Sequence, residues 1–321
     1  MTKVWVFAEL VGDQVSPISL EVMTGARELG AELEAVVLDP QARAVSSVLG
    51  EYGATTVYLG TDSRYRDHVA QPHAAVLAEL VATHHPDLLL FGATYDGRDI
   101  CGRLSARLGL TVVANATAVT TAGNGFTAFS SIFGATQNVT TQLQGPTPCV
   151  LVRPKSYAAQ SAGAGGPSVV EVPLPEGAPV GARRVDSVVA PSSGPKLEDA
   201  RVVVSGGRGL QDPANFRLVE ELAGMLHGAA GASRAVVDAG WVAYSRQVGQ
   251  TGKTVKPDVY LAWGISGAMQ HTVGMKGAAH IVAINKDRDA PIFKLSDLGI
   301  VGDALKVLPA LIAELQARGV S

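Results

Sequence analysis

The 321 residues suffice for roughly two domains with separate cores, and 26 basic against 29 acidic side chains leave a net charge of -3, which argues against a nucleic-acid or anionic-membrane binder. With 47% hydrophobic but only 5% aromatic residues and 36 glycines, the composition suggests an Ala/Val/Gly-rich α/β protein, and Cys101 and Cys149 follow neither a metal spacing nor a disulfide framework. Met1-Thr2-Lys3 runs into VWVFAEL without an export signal, and no apolar run reaches the roughly 18 residues of a membrane span, so the expectation is a soluble, cytoplasmic protein.

Val4 to Ala8 is a short β-branched run that reads as a buried strand. Helical spacing follows over Ile18 to Leu29, a strand over Leu33 to Leu38, a short helix over Ala42 to Leu49, and a strand over Thr55 to Leu59. Ala74 to Ala82 reads as a helix, Leu88 to Phe91 as a strand, and Asp99 to Leu108 as a helix ended by Gly109. Such alternation predicts a parallel sheet covered on both faces. After Val112 the runs become β-type and Gly-bounded, with AGNG at 122–125 as a hairpin turn, so a local antiparallel patch is expected. Residues 154–200 are rich in Pro, Gly, Ser and Ala, although VVEV and DSVVA can add strands to the first sheet. The boundary is placed near 192–199, giving domains 1–192 and 193–321.

From Arg201 the βα rhythm restarts with RVVVSGGRG, a helix from Asn215 to His227, ASRAVVDAG, VYLAW, HIVAINKD and a helix from Asp303 to Ala317. Its strand ends collect Gly207 to Gly209, Ser233, Gln250 and Thr251, Ser266 to His271, and Asn285, and open α/β sheets bind ligands beyond such ends. The Gly-rich turn at 207–209 fails the dinucleotide fingerprint, because Asp212 occupies the third glycine position. QTGKT is no phosphate loop either, since Gln247 stands where its first Gly belongs and Pro257 stops the helix. Arg234 is read as entering a buried strand, where it needs a partner: a salt bridge to Asp238 or Asp287, or a cofactor ring. His68, His73, His84 and His85 are read as surface residues, and His271 as the histidine whose loop gives it interest. No Ser/His/Asp set, metal tetrad or acid/base carboxylate pair emerges, which suits a protein that moves electrons rather than atoms.

SGGRG at 205–209, GASRAVVDAG at 231–240, QVGQTGK at 247–253, GISGAMQH at 264–271, IVAINKD at 281–287 and APIF at 290–293 resemble, in order and spacing, the α subunit of electron transfer flavoproteins. VWVFAE, SLE and GRD with GRLSARL resemble the family's first domain more loosely, and SSIFGATQN at 130–138 replaces its usual basic Gly-Gly-Asn stretch. Ala243 and Met269 depart where Pro and Ile or Val are usual. The resemblance implies two α/β domains, each an open, mostly parallel sheet with helices on both faces, the second a Rossmann-like FAD-binding domain. It further implies a heterodimer with a β subunit that holds an AMP. Electrons would come from acyl-CoA dehydrogenases or similar flavoenzymes and leave towards a quinone oxidoreductase of the respiratory chain.

Carried over by residue, Arg208 and Ser233 would contact FAD, while Val248, Gly249, Gln250 and Thr251 would line the flavin and ribityl chain. Ser266, Gly267, Ala268, Met269, Gln270 and His271 would receive the pyrophosphate and the flavin edge. Asn285 and Asp303 would hold the adenosine end, and Arg234 would lie against the ring, where with His271 it would offset the negative charge of reduction. The implied protein is an electron carrier without substrate turnover of its own. The rival readings are a stand-alone flavin or nicotinamide oxidoreductase and a non-catalytic nucleotide-binding module.

Overall fold

The computed structural model describes residues 2–123, 125–133, 137–163, 165–186 and 195–319. The chain divides into two compact units, Met1–Val188 and Val189–Ser321.

In the first unit, β1 (Lys3–Ala8) leads through a small hairpin of β2 (Leu10–Val11) and β3 (Gln14–Val15) into α1 (Pro17–Arg27). Then come β4 (Glu32–Leu38), α2 (Ala42–Glu51), β5 (Thr56–Gly60), α3 (Arg64–Asp67), α4 (Gln71–His84), β6 (Leu88–Gly92) and α5 (Tyr95–Leu108). The unit finishes with β7 (Val112–Ala122), β8 (Gly125–Ile132), β9 (Gln137–Gln142), β10 (Cys149–Val152) and β11 (Ser168–Glu171). Among the described residues the sheet order is β11-β5-β4-β1-β6-β10-β7-β8-β9. The strands pair in parallel from β11 to β7, and β8 and β9 close the edge antiparallel.

The central strands are apolar on both faces because helices cover both, the condition that makes a parallel-sheet strand a continuous hydrophobic run. Val4, Val6, Val37 and Leu90 face one core with α1 and α2, whereas Trp5, Phe7, Leu89 and Phe91 face the other with α4 and α5. Caps set the helix starts: Ser16 accepts from Ser19 N with Pro17 next, and Thr94 accepts from Gly97 N. α5 therefore begins earlier than the apolar spacing indicates, and α4 does so with Pro72 in its first turn and no side-chain cap.

The antiparallel patch and the VVEV strand, which pairs with β5, are both found. Ala122 pairs with Gly125 at the expected hairpin, whose Asn124 lies outside the described residues. So do 134–136 of the divergent loop and 187–190 of the DSVVA stretch. The surface reading of the histidines is corrected for two of them. His84 packs on Trp5 and Tyr58, and His73 packs on Phe7 and Tyr65, both by contacts far apart in sequence.

The second unit comprises β12 (Val202–Gly206), α6 (Phe216–Met225), β13 (Ala229–Ala232), α7 (Arg234–Asp238), β14 (Val259–Trp263), α8 (Met269–Thr272), β15 (His280–Asn285), β16 (Leu298–Val301) and α9 (Ala304–Ala317). All five strands are parallel, in the order β13-β12-β14-β15-β16. Alternate side chains go to opposite faces. Val204, Leu261, Trp263 and Ile284 pack with Phe216, Leu222, Leu308 and Ile312 of α6 and α9. Val203, Tyr260, Ala262 and Ala283 pack with Val248, Ile265, Met275 and Ile292, which come from loops and short helical turns. One face of this sheet is thus built from the segments that also carry the ligand-directed residues.

The strand expected to include Arg234 ends at Ala232, and Arg234 begins α7 instead. Ser233 turns the chain, its N–H donating to the Gly206 carbonyl and its own carbonyl accepting from Val236 N. No helix of the described residues is long and apolar enough to cross a membrane.

Candidate functional site

An open cleft of about 590 Å³ lies at the carboxyl ends of β12, β13, β14 and β15. Arg208, Ser233, Arg234, Val248, Gly249, Gln250, Thr251, Ser266, Ala268, Gln270, His271 and Asn285 line it, so twelve of the fifteen expected residues meet in one place. The side chains of the other three do not line it. Gly267 packs on the backbone of Ile292, Met269 is exposed, and Asp303 caps α9 by accepting from Leu305 N. The Asp303 carboxylate is also paired with Lys286, and these two contacts hold its pKa below the ordinary value.

Glycine shapes the cleft because its loops touch backbone to backbone. A Cβ on Gly209 would come within 2.6 Å of Gly264 Cα, and one on Gly207 within 2.4 Å of Gly264 O. Gly264 itself has φ 62°, and Gly209 N donates to its carbonyl. The second contact joins the 247–253 loop to the segment around α8. Gly249, at φ 141°, would drive a Cβ to 2.5 Å from Gln270 O, and Gln250 N donates to that same carbonyl. These contacts leave the walls of the cleft rich in exposed backbone. The N–H groups of 266–268 find no acceptor among the described residues, and an anion is the natural partner for such a run of donors.

His271 is the buried ionisable group of this wall. Its Nε2 lies 2.9 Å from Tyr260 Oη, and burial pushes its pKa down to about 4, with the Val248 carbonyl working in the opposite direction. The imidazole is therefore neutral at physiological pH. Burial raises the Tyr260 phenol, so it keeps its hydrogen, which His271 Nε2 or the Ser205 hydroxyl can accept. When Nε2 accepts it, the single ring hydrogen sits on Nδ1. Nδ1 is buried in the wall of the cleft and makes no hydrogen bond of good geometry, the Val248 carbonyl being a weak neighbour of the ring.

Two further side chains, Thr251 and Arg234, are oriented by neighbours four residues away. Gln247 is buried and donates through Nε2 to Thr251 Oγ1 at 2.9 Å, which leaves the Thr251 hydrogen for another acceptor. Arg234 Nε lies 3.1 Å from Asp238 Oδ2, with both side chains mostly exposed. Of the two salt bridges open to Arg234, Asp238 supplies the one that forms. Tyr260 and Gln247 carry no local motif, and Tyr260 meets His271 only once strand and loop are assembled. Asp238 is one of the two partners expected for Arg234, and the i,i+4 spacing of the pair fits the helix that forms there.

A family profile described as "Electron transfer flavoprotein domain" matches residues 4–176, and one described as "Electron transfer flavoprotein FAD-binding domain" matches 196–276. Among curated relatives, the electron transfer flavoprotein subunit alpha of Mycobacterium leprae is 41% identical over 321 residues, covering 99% of each chain. That of Syntrophomonas wolfei is 37% identical, covering 98% of this chain and all of its own. Protein FixB of Bradyrhizobium diazoefficiens is 40% identical, covering 98% of this chain and 89% of its own.

Proposed function

Because the chain belongs to the electron transfer flavoprotein α-subunit family, we propose that it holds one FAD in the cleft of its second unit and carries electrons between other flavoproteins. The observation that carries this reading is the row of free backbone amides at 266–268, with the buried Nδ1 of neutral His271, which makes no hydrogen bond of good geometry, in the same cleft. A polar ring edge and a pyrophosphate supply the acceptors that these two features lack.

The residues fit the group. The amides of Ser266, Gly267 and Ala268, with Arg208 across the cleft, would take the pyrophosphate, where fixed dipoles and a guanidinium offset its charge. Asn285 and Asp303 would hold the adenosine end. The isoalloxazine ring of bound FAD supplies one-electron redox chemistry. Arg234 and His271 would counter the negative charge that reduction adds, Arg234 as a fixed cation and His271 as a hydrogen-bond donor with no proton to lose. Thr251, its oxygen already engaged by Gln247, would donate its hydroxyl hydrogen to the ring. Val248 and Gly249 would exclude water from it.

The partner is a β subunit carrying an AMP. Electrons arrive from acyl-CoA dehydrogenases or related dehydrogenases and leave one at a time to a quinone oxidoreductase. The protein turns over no substrate of its own, in keeping with a cleft whose buried imidazole is neutral and held by Tyr260. Co-expression with the β chain and purification tests the cofactor: a yellow heterodimer with one FAD per α chain is expected, and a colourless, flavin-free heterodimer overturns the reading.

A further inference from the structure

A second cleft, of about 220 Å³, opens in the first unit at the carboxyl ends of β1 and β4. Read outward from β1, the strands run β1, β4, β5 on one side and β6, β10 on the other, so β1 lies at the point where strand order reverses. Ligands of doubly wound sheets bind at such a switch point, and an acidic residue after the second strand commonly takes ribose hydroxyls. Here that strand is β4, and Asp39 follows it directly and lines the cleft. Asp39 Oδ1 accepts from Gln41 N and from Arg66, which fixes the carboxylate without exhausting its roughly four acceptor sites.

The walls carry polar atoms with nothing to bond. Tyr65, His68 and His73 line the cleft, and Tyr65 Oη, His68 Nδ1 and His73 Nδ1 are buried without hydrogen-bond partners among the described residues. Tyr65 is only 4% exposed. Buried polar atoms are seldom left without partners, so three together call for a polar occupant. His73 meets Tyr65 at a tilt and Phe7 edge-on, giving the cleft an aromatic side.

A strap closes the cleft from above, as Val69 N donates to Ala182 O and Arg184 N to Asp67 O. Beneath it Ala70 holds φ 49°, a left-handed value that a non-glycine residue adopts only under constraint. The loop after β1 carries Glu9, hydrogen-bonded to the Thr94 hydroxyl, where a phosphate loop would need open amides. Arg66 and Arg184 also line the cleft, Arg66 paired with Asp39, so its walls carry charges of both signs and its volume suits a ligand smaller than a dinucleotide.

We propose that this cleft binds a nucleoside, with Asp39 accepting from the ribose hydroxyls and Tyr65 and His73 meeting the base. This site is independent of the flavin reading, since every residue named lies in the first unit. Calorimetric titration of the purified full-length protein with adenosine, guanosine and uridine tests it. Saturable binding of at least one is expected, weakened tenfold or more by Tyr65→Phe and by Asp39→Asn, with flavin content unchanged. No saturable binding of any of the three, or binding unaltered in both variants, overturns it: the first outcome makes the cleft a solvent pocket, and the second puts the nucleoside elsewhere.

Discussion

Three buried ionisable side chains give the protein opposing responses to pH. Burial pushes His271 and His73 down to about 4, from an ordinary value of about 6.5. The folded chain then binds fewer protons than the unfolded chain between those values, so stability is complete above about pH 6.5 and falls as the pH drops towards 4, by at most about 3 kcal/mol per ring. Glu9 is pushed up to about 7, chiefly by burial, and works the other way: its contribution is present below about pH 4.5 and is lost as the pH rises through 7. Glu9→Gln should therefore raise the urea midpoint at pH 8 and leave it nearly unchanged at pH 5. Equal shifts at both would show that the carboxyl is not held protonated. Arg234 makes a contrasting case, because its pair with Asp238 is mostly exposed and worth no more than about 0.5 kcal/mol. Asp238→Ala should leave thermal stability unchanged, whereas Arg234→Ala should lower the potential of the bound flavin in a redox titration. An unchanged potential would confine Arg234 to its salt bridge.

At the scale of elements, the glycine contacts between the 207–209 turn and the end of β14 are the most demanding feature. Gly209→Val would push a side chain into Gly264 Cα, a backbone atom that cannot rotate away. Such overpacking costs about 1–3 kcal/mol or more, and FAD per chain after purification should fall well below one. Full flavin content in that variant would show that the turn is not part of the cofactor cradle. The βα rhythm of both units was legible in the sequence because strands buried on two faces are unbroken apolar runs. The cleft wall of the second unit was legible because small and polar residues gather after each of its strands. Arg234 was misplaced because Ala235-Val236-Val237 is β-branched and short, and only the turn at Ser233 makes it helical. His73 and His84 were misread because their neighbours Phe7 and Trp5 lie on β1, a contact no local pattern records. The Tyr260 partner of His271 was missed for the same reason: a strand residue and a loop residue meet only once the sheet has formed.

Over the whole molecule, chemistry is divided between two units that use the same βα grammar. The second offers free amides, cations and a neutral imidazole donor, the equipment for an anionic redox cofactor. The first offers carboxylates, two arginines, aromatic rings and buried polar atoms without partners, the equipment for a small polar ligand with a flat part. Electron carriage is tested by anaerobic mixing of the flavin-loaded heterodimer with a substrate-reduced acyl-CoA dehydrogenase. The oxidised flavin absorbance should be lost on mixing, return when a quinone oxidoreductase and quinone are added, and stay unchanged when the acyl-CoA substrate is added without the dehydrogenase. Flavin that stays oxidised in the presence of the reduced dehydrogenase, or that is reduced by the small substrate alone, would contradict it.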